Sequence, residues 1–285
     1  MPGLTLSCRG KALDCSARTL VMGVVNCTPD SFYSGSRYPR AEEAVAAGAR
    51  MAEEGADILD IGGESSRPGA RPISAQEELE RVMPVLTGLL ATTDLPLSVD
   101  TYKSEVAEQA LAAGAHMLND ISALRFDASM AEVAAKFEVP VVLMHIKGTP
   151  TNMQENPHYA DLLGELFHYF EERIEFALHK GIKKENLVID PGLGFGKRLG
   201  DNYEILRRLK ELTVFGCPIL VGPSRKSFIS RVLELSPEDA LEGTIAAVTV
   251  AILNGANIVR VHDVKAIRRA VQVVDCIANS SELLK

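Results

Sequence analysis

The chain has 285 residues, 46% of them hydrophobic, 24% charged and 5% aromatic with no tryptophan, and carries a formal net charge of −8. Its length suits one (β/α)8 barrel, for which about 250 residues are typical, and exceeds that of a single compact sandwich or bundle. The acidic balance excludes a general nucleic-acid or anionic-membrane surface and the scarcity of aromatics a stacking platform, yet both leave room for a small anion held by local cations.

Met1 to Arg18 alternate polar and apolar residues, carry Arg9, Lys11 and Arg18, and lack the apolar stretch of a secretory signal. Residues 1–18 are expected to be an N-terminal extension of a single domain spanning 1–285, with residues 4 to 18 forming a small hairpin at the bottom of the barrel. Eight short apolar or β-branched runs follow: Leu20 to Asn26, Asp57 to Gly62, Leu97 to Asp100, Ala115 to Asp120, Val139 to His145, Leu187 to Asp190, Pro218 to Gly222 and Asn257 to His262. Between them, Ala41 to Glu54, Ala75 to Leu90, Lys103 to Ala113, Tyr159 to Lys180, Asn202 to Glu211 and Ala240 to Leu253 repeat apolar residues every three or four positions, as one-faced helices do. Strands alternating with helices predict a parallel α/β sheet covered on its outside, and eight such units predict closure into a TIM barrel. Gly55, Gly114 and Gly255 recur where a helix C-terminus needs a left-handed residue. No apolar run approaches the roughly 20 residues that span a bilayer. The five cysteines are scattered without a CxxC pair, which predicts reduced thiols and a cytoplasmic protein.

Barrel chemistry gathers at the C-terminal ends of the strands. In this chain those ends read Asn26, Asp60 followed by Glu64, Asp100, Asn119-Asp120, His145, Asp190, Ser224-Arg225-Lys226, and Arg260 with His262. Any one of them has a bland reading as a loop cap or a satisfied buried carboxylate. Eight converging on one mouth point to a ligand with two faces. Asp100, Asn119 and Asp190, with Lys226, suit a flat heterocycle with a guanidine-like edge, such as a purine or pterin. Arg67, Arg260 and His262, with Ser66, suit a phosphate clamp. Asn26 offers a hard oxygen compatible with Mg²⁺.

Gly192-Leu193-Gly194-Phe195-Gly196-Lys197 fits neither the dinucleotide fingerprint nor a P-loop, and is expected to be a flexible loop bringing Phe195 over the site. Gly62 to Ala70 is long, polar and Gly-rich, as a substrate lid would be. The six histidines show no metal spacing, and His145 is evenly placed between ligand contact and plain structure. Met22 and Met117 are expected in the barrel core, and Met144 there or in the wall of an aromatic pocket.

Met22-Gly23-Val24-Val25-Asn26-Cys27-Thr28-Pro29-Asp30-Ser31-Phe32 resembles the opening signature of the dihydropteroate synthase family, and Asp60 to Ala70 its second signature. Ser98 to Thr101, Leu118 to Ile121, Met144-His145 through Gln154, Asp190 through Lys197, Ser224 to Phe228 and Arg260 to Asp263 continue the resemblance in the family's order, nearly over the whole chain. It implies a transferase of folate synthesis that forms a C–N bond between 7,8-dihydropterin-6-ylmethyl diphosphate and 4-aminobenzoate with Mg²⁺, by a dissociative route without an acid–base dyad. By the same resemblance Asp100, Asn119, Asp190 and Lys226 hold the pterin. Asn26 through Mg²⁺, Arg67, Arg260 and His262 hold the diphosphate, and Ser66, Pro68, Phe195 and Ser224 line the aminobenzoate pocket. Asp100, Lys226 and Arg260 carry the catalysis, and the assembly is a homodimer formed through late helices.

Tyr33-Ser34-Gly35-Ser36 departs from the family's usual Ser-Asp-Gly-Gly, which bears on loop closure and on sensitivity to sulfonamides, and Ser66 replaces the usual Thr. Two rival readings are a relative passing a methyl group from a reduced folate to a corrinoid protein, and an inactive pterin-binding scaffold. Arg67, its loop and Lys226 argue against the first; the altered loop alone supports the second.

Overall fold

The structure is a computed structural model that describes residues 4–27 and 37–279. Thr28 to Phe32 of the opening signature and the departure at Tyr33 to Ser36 lie outside the described residues. Strands β1 (Thr5–Cys8) and β2 (Lys11–Asp14) form the antiparallel hairpin expected near the N-terminus. Then follow β3 (Leu20–Asn26), α1 (Arg37–Glu53), β4 (Ile58–Gly62), α2 (Ala75–Thr92), β5 (Leu97–Asp100), α3 (Ser104–Ala113), β6 (Met117–Asp120) and α4 (Met130–Phe137). The second half comprises β7 (Val141–Met144), α5 (Leu162–His179), β8 (Leu187–Asp190), α6 (Leu199–Arg208), β9 (Leu220–Val221), α7 (Ser227–Leu233), α8 (Leu241–Leu253), β10 (Ile258–Val261) and α9 (Val264–Ala278).

The strands β3 to β10 make one eight-stranded parallel sheet in which β10 returns to pair with β3, Ile258 beside Leu20. At the remaining seam, between β8 and β9, the Ile189 N–H donates to the Pro218 carbonyl at 3.0 Å. The contact there is an isolated parallel bridge between Ile189 and Ile219, and β9 is the shortest strand of the ring. The result is a nearly closed (β/α)8 barrel, as the alternation of runs predicts.

Alternate strand residues serve two cores. Val21, Leu59, Ile61, Val99, Leu118, Leu143, Ile189, Val221 and Val259 point outward into the layer shared with the helices. Leu20, Met22, Ile58, Met117, Val142, Val188, Leu220 and Ile258 point inward and fill the lower barrel. Leu6, Cys8 and Cys15 of the hairpin join this inner cluster from below, so the hairpin plugs the barrel floor. Arg9 secures it by donating to the Leu111 and Ala115 carbonyls at 2.5 and 3.1 Å.

The helix–strand joints carry φ of +97° at Gly55, +120° at Gly114 and +97° at Gly255, a region costly to any residue with a Cβ. Helix α6 starts at Leu199, not at Asn202 where its apolar period begins, because Asp201 accepts from the Arg198 amide at 2.7 Å and caps an earlier turn. Among the described residues no helix is long and apolar enough to cross a membrane.

Leu6 is fully buried at the barrel floor, so Leu6→Ala is expected to lose about 2–5 kcal/mol, measured as a lower urea midpoint at unchanged slope.

Candidate active site

The inward positions that hold apolar residues low in the barrel hold polar ones one step higher. After Ile58, Met117, Val188 and Ile258 come, two residues on, Asp60, Asn119, Asp190 and Arg260. Each is therefore aimed at the mouth by strand geometry alone.

Arg260 is the junction. Its Nε donates to Asp60 Oδ2 at 2.6 Å and its Nη2 to Asp100 Oδ2 at 2.8 Å. Asn119 Nδ2 donates to the same Asp60 oxygen at 2.9 Å. Asp60 is fully buried, and its Oδ1 has no partner among the described residues. Asp60 is a strand-end residue for which the residue pattern implies no ligand role. Its position two residues after Ile58 was the signal for a place in the mouth. Burial pushes the Asp100 carboxyl up to about 7 against the pull of Arg260. Such a carboxyl sits near the balance between charged and neutral forms.

Asp190 is buried, with Oδ1 accepting from the Gly192 amide at 2.7 Å, and burial raises it despite Lys226 nearby. Burial draws Lys226 down to about 8, with Asp190 opposing. The Lys226 ammonium donates to the Leu193 carbonyl and lies 4.5 Å from the centre of the Phe195 ring, a cation–π contact. Phe195 packs with Ile121, Met144, Ile146 and Met153, so Met144 belongs to an apolar wall of the mouth rather than to the lower core.

Two expectations change. The loop from Gly192 to Lys197 is fastened rather than loose: Lys197 donates to the Gly192 and Phe195 carbonyls at 3.0 and 3.1 Å, and Tyr159 Oη donates to the Gly196 carbonyl at 2.7 Å. A Cβ on Gly192, at φ +68°, would stand 2.0 Å from the His145 carbonyl oxygen, which accounts for glycine there. His262, read as part of a basic face, is a neutral ring. Burial and the guanidinium groups of Arg260 and Arg225 hold it down to about 3. It meets Ser224 Oγ at 3.1 Å through Nδ1, so these two expected site residues form one hydrogen-bonded pair.

The lid from Gly63 onward is anchored by Glu64, which accepts from Tyr102 Oη at 2.6 Å, from the Ile73 amide at 3.2 Å and from Lys103. Ser66 is half-buried and shares a recess with Asp100, Thr101 and Tyr102, whereas Arg67 and Pro68 are exposed. The Gly69 amide donates to the Pro150 carbonyl at 3.0 Å, tying the lid to the loop after β7. Asn26 ends β3 beside Gly62, half-buried and outside the Arg260 network. Among the described residues, no group of three or more His, Cys, Asp or Glu is placed to hold a metal ion.

The mouth thus brings together Asp100, Asn119, Asp190, Lys226, Phe195, Ser224, Arg260 and His262, adds Asp60, and leaves Arg67 and Pro68 on the lid. Arg260→Met strips the counter-charge from two carboxyls that titrate freely in the unfolded chain. The Asp100 carboxyl, already raised by burial, then rises further without Arg260 to lower it, so stability holds in acid and is lost as pH climbs from about 4 through the raised value. Urea unfolding is expected to show a deficit of about 3–5 kcal/mol at roughly pH 8 and a clearly smaller one at roughly pH 5.

The chain matches the family described as pterin binding enzyme over residues 22–262. The dihydropteroate synthase of Synechocystis sp. is 45% identical over 265 residues, covering 93% of this chain and 92% of its own length. Xanthomonas albilineans dihydropteroate synthase with 4-aminobenzoic acid superposes at a TM-score of 0.91 with 46% identity, covering 97% of this chain and 99% of that one. Yersinia pestis dihydropteroate synthase in a sulfonamide drug complex also gives a TM-score of 0.91, with 45% identity and 96% and 98% coverage.

Proposed function

We propose, for a chain that belongs to the dihydropteroate synthase family of pterin-binding enzymes, that the barrel mouth joins 7,8-dihydropterin-6-ylmethyl diphosphate to 4-aminobenzoate and releases diphosphate. The observation that carries this reading is the polar arc of Asn119, Asp60, Arg260 and Asp100 continuing to Asp190 and Lys226. The whole chain acts as one pterin-binding domain.

The pterin's amide and amino edge meets Asp190, Asn119 and Lys226, which offer acceptor, mixed and donor groups in a buried setting where unpaired groups are costly. Asp190 and Asp100 would accept from ring and exocyclic N–H groups. Arg260, compensated by Asp60 and Asp100, presents its face to the methylene and the bridging oxygen. Arg67 from the lid and the neutral His262 ring complete the diphosphate end, Arg67 as a forked donor and His262 as a hydrogen-bonding group. Phe195, Pro68, Ser66 and Ser224 wall the aminobenzoate pocket.

Departure of the diphosphate leaves a methylene cation on an electron-rich dihydropterin, and ionised Asp100 stabilises that charge. The arylamine attacks as the neutral amine through its nitrogen lone pair, and the acidic anilinium so formed gives its proton to water, so no dedicated general base is needed and catalysis rests on positioning and electrostatics. Mg²⁺ fits the donor set as an ion that takes most ligands from water and phosphate: Asn26 would supply one hard oxygen, and the bound ion would offset charge on the leaving group.

Exposed Val232, Val250, Leu253, Val273 and Ile277 on α7, α8 and α9 support a homodimer through the late helices. Free cysteines and an acidic surface suit a cytoplasmic enzyme, and family membership makes it a sulfonamide target.

With Mg²⁺ present, diphosphate release from the pterin diphosphate is expected to depend on added 4-aminobenzoate; release at the same rate without it refutes the synthase reading. Two variants separate the halves of the site by calorimetry. Asp190→Asn is expected to weaken pterin binding by about one to two orders of magnitude. Arg67→Ala is expected to weaken the pterin diphosphate while leaving the free pterin unchanged.

A further inference from the structure

Lys197 is 3% exposed, yet none of the catalytic steps above uses it. Its ammonium meets three acceptors: His145 Nδ1 at 2.9 Å, the Gly192 carbonyl at 3.0 Å and the Phe195 carbonyl at 3.1 Å. An ammonium has three N–H donors, so the count closes without water. Both carbonyls belong to the loop that carries Phe195, and His145 stands just past β7. His145 is in turn fixed edge-on to the Tyr169 ring at 4.6 Å, and its backbone amide donates to the Asp190 carbonyl at 2.9 Å. Burial, with Lys197 and Arg125 nearby, holds the imidazole well below its ordinary range. It is neutral, and Nδ1 is free to accept.

We propose that Lys197 is a positioning residue for the aminobenzoate step, its buried ammonium drawing two loop carbonyls to one point and so setting the height at which Phe195 walls the amine's pocket. The proposal rests on the reading that Phe195 lines that pocket. A buried charge is a poor stabiliser compared with an apolar side chain of the same volume. Its merit here is directional. Apolar packing cannot hold two carbonyl oxygens convergent, and the three glycines of the loop have no side chains to do so.

The fastening is also graded by pH. Burial draws Lys197 down to about 7. Asp190 of β8 and Asp201 of α6 favour the charged form, whereas Lys226 after β9 and Lys147 after β7 oppose it. Arg125 faces the same cluster from behind His145. On losing its proton the amine keeps two donors for three acceptors, so one of the three contacts is given up and the hold on the loop weakens.

The test is steady-state kinetics of the full-length enzyme with both substrates. Lys197→Met is expected to raise the KM for 4-aminobenzoate about tenfold, with kcat and the KM for the pterin diphosphate changed less than twofold. The wild-type KM for 4-aminobenzoate is expected to rise between about pH 6 and pH 9, a range in which the substrate's own groups do not titrate. In the variant that rise is smaller by the part that Lys197 contributes. Lys226 titrates close by but is common to both proteins, so the difference belongs to Lys197. Lys197→Gln, uncharged but with two donors, takes the same test where Lys197→Met does not fold. A KM unchanged in a variant that still binds pterin, or parallel pH profiles, overturns the proposal.

The absence of tryptophan provides a readout independent of turnover. In a Phe195→Trp background, adding Lys197→Met is expected to shift the emission to the red, and unshifted emission overturns the proposal. A red shift with an unchanged KM for 4-aminobenzoate leaves the fastening standing and overturns the assignment of Phe195 to the aminobenzoate pocket.

Discussion

A nearly closed parallel barrel turns every second strand residue toward an axis that water reaches only from the ends, and each such residue must be apolar or paired. This chain meets the constraint in two tiers. Ile58, Met117, Val188 and Ile258 close the lower interior over the hairpin plug, and Asp60, Asn119, Asp190 and Arg260 occupy the next inward step. The mouth is polar because the floor is sealed. Leu6, Cys8 and Cys15 keep solvent from entering below, so ligands and water share one approach.

Charge in such a place is held in mutual check. Arg260 binds two carboxylates, Asp60 binds both Arg260 and Asn119, and the Asp190 and Lys226 charges favour one another across the mouth. Each pair restrains a desolvation cost that none of its members could sustain alone. The same burial draws Asp100 up and Lys226 down toward neutrality, so modest changes on ligand entry shift their charge. The net charge of −8 conceals this arrangement. Surface acids on the helices dominate the sum, while the cations of the mouth occupy a few strand ends.

The loops are built differently from the strands. Glu64 gathers Tyr102, Lys103 and the Ile73 amide beneath the lid, and Lys197 gathers the carbonyls of the Phe195 loop. In each, one buried charged group binds several backbone or side-chain partners. Glycines give those loops their path, and the anchors give them their position. A Gly-rich stretch that reads as mobile in isolation is therefore held where a charge is buried beneath it.

Much of the fold was legible from residue order. The alternation of apolar runs with one-faced helices predicted eight βα units, the glycine joints marked their seams, and the resemblance of the strand-end segments pointed to the family. Strand periodicity likewise placed Asp100, Asn119, Asp190 and Arg260 at one mouth. Other features depended on distance in space between residues far apart in the chain. That Arg260 spends its charge on Asp60 and Asp100, that His262 is neutral against Ser224, and that Lys197 finds His145 are facts of convergence, since strands separated by tens of residues meet only when the barrel closes. Sequence alone determined which chemical groups this protein has and which face of each element they occupy. Tertiary structure decided which of them neutralise one another, because burial and pairing set the charge of a group, and both exist only after folding.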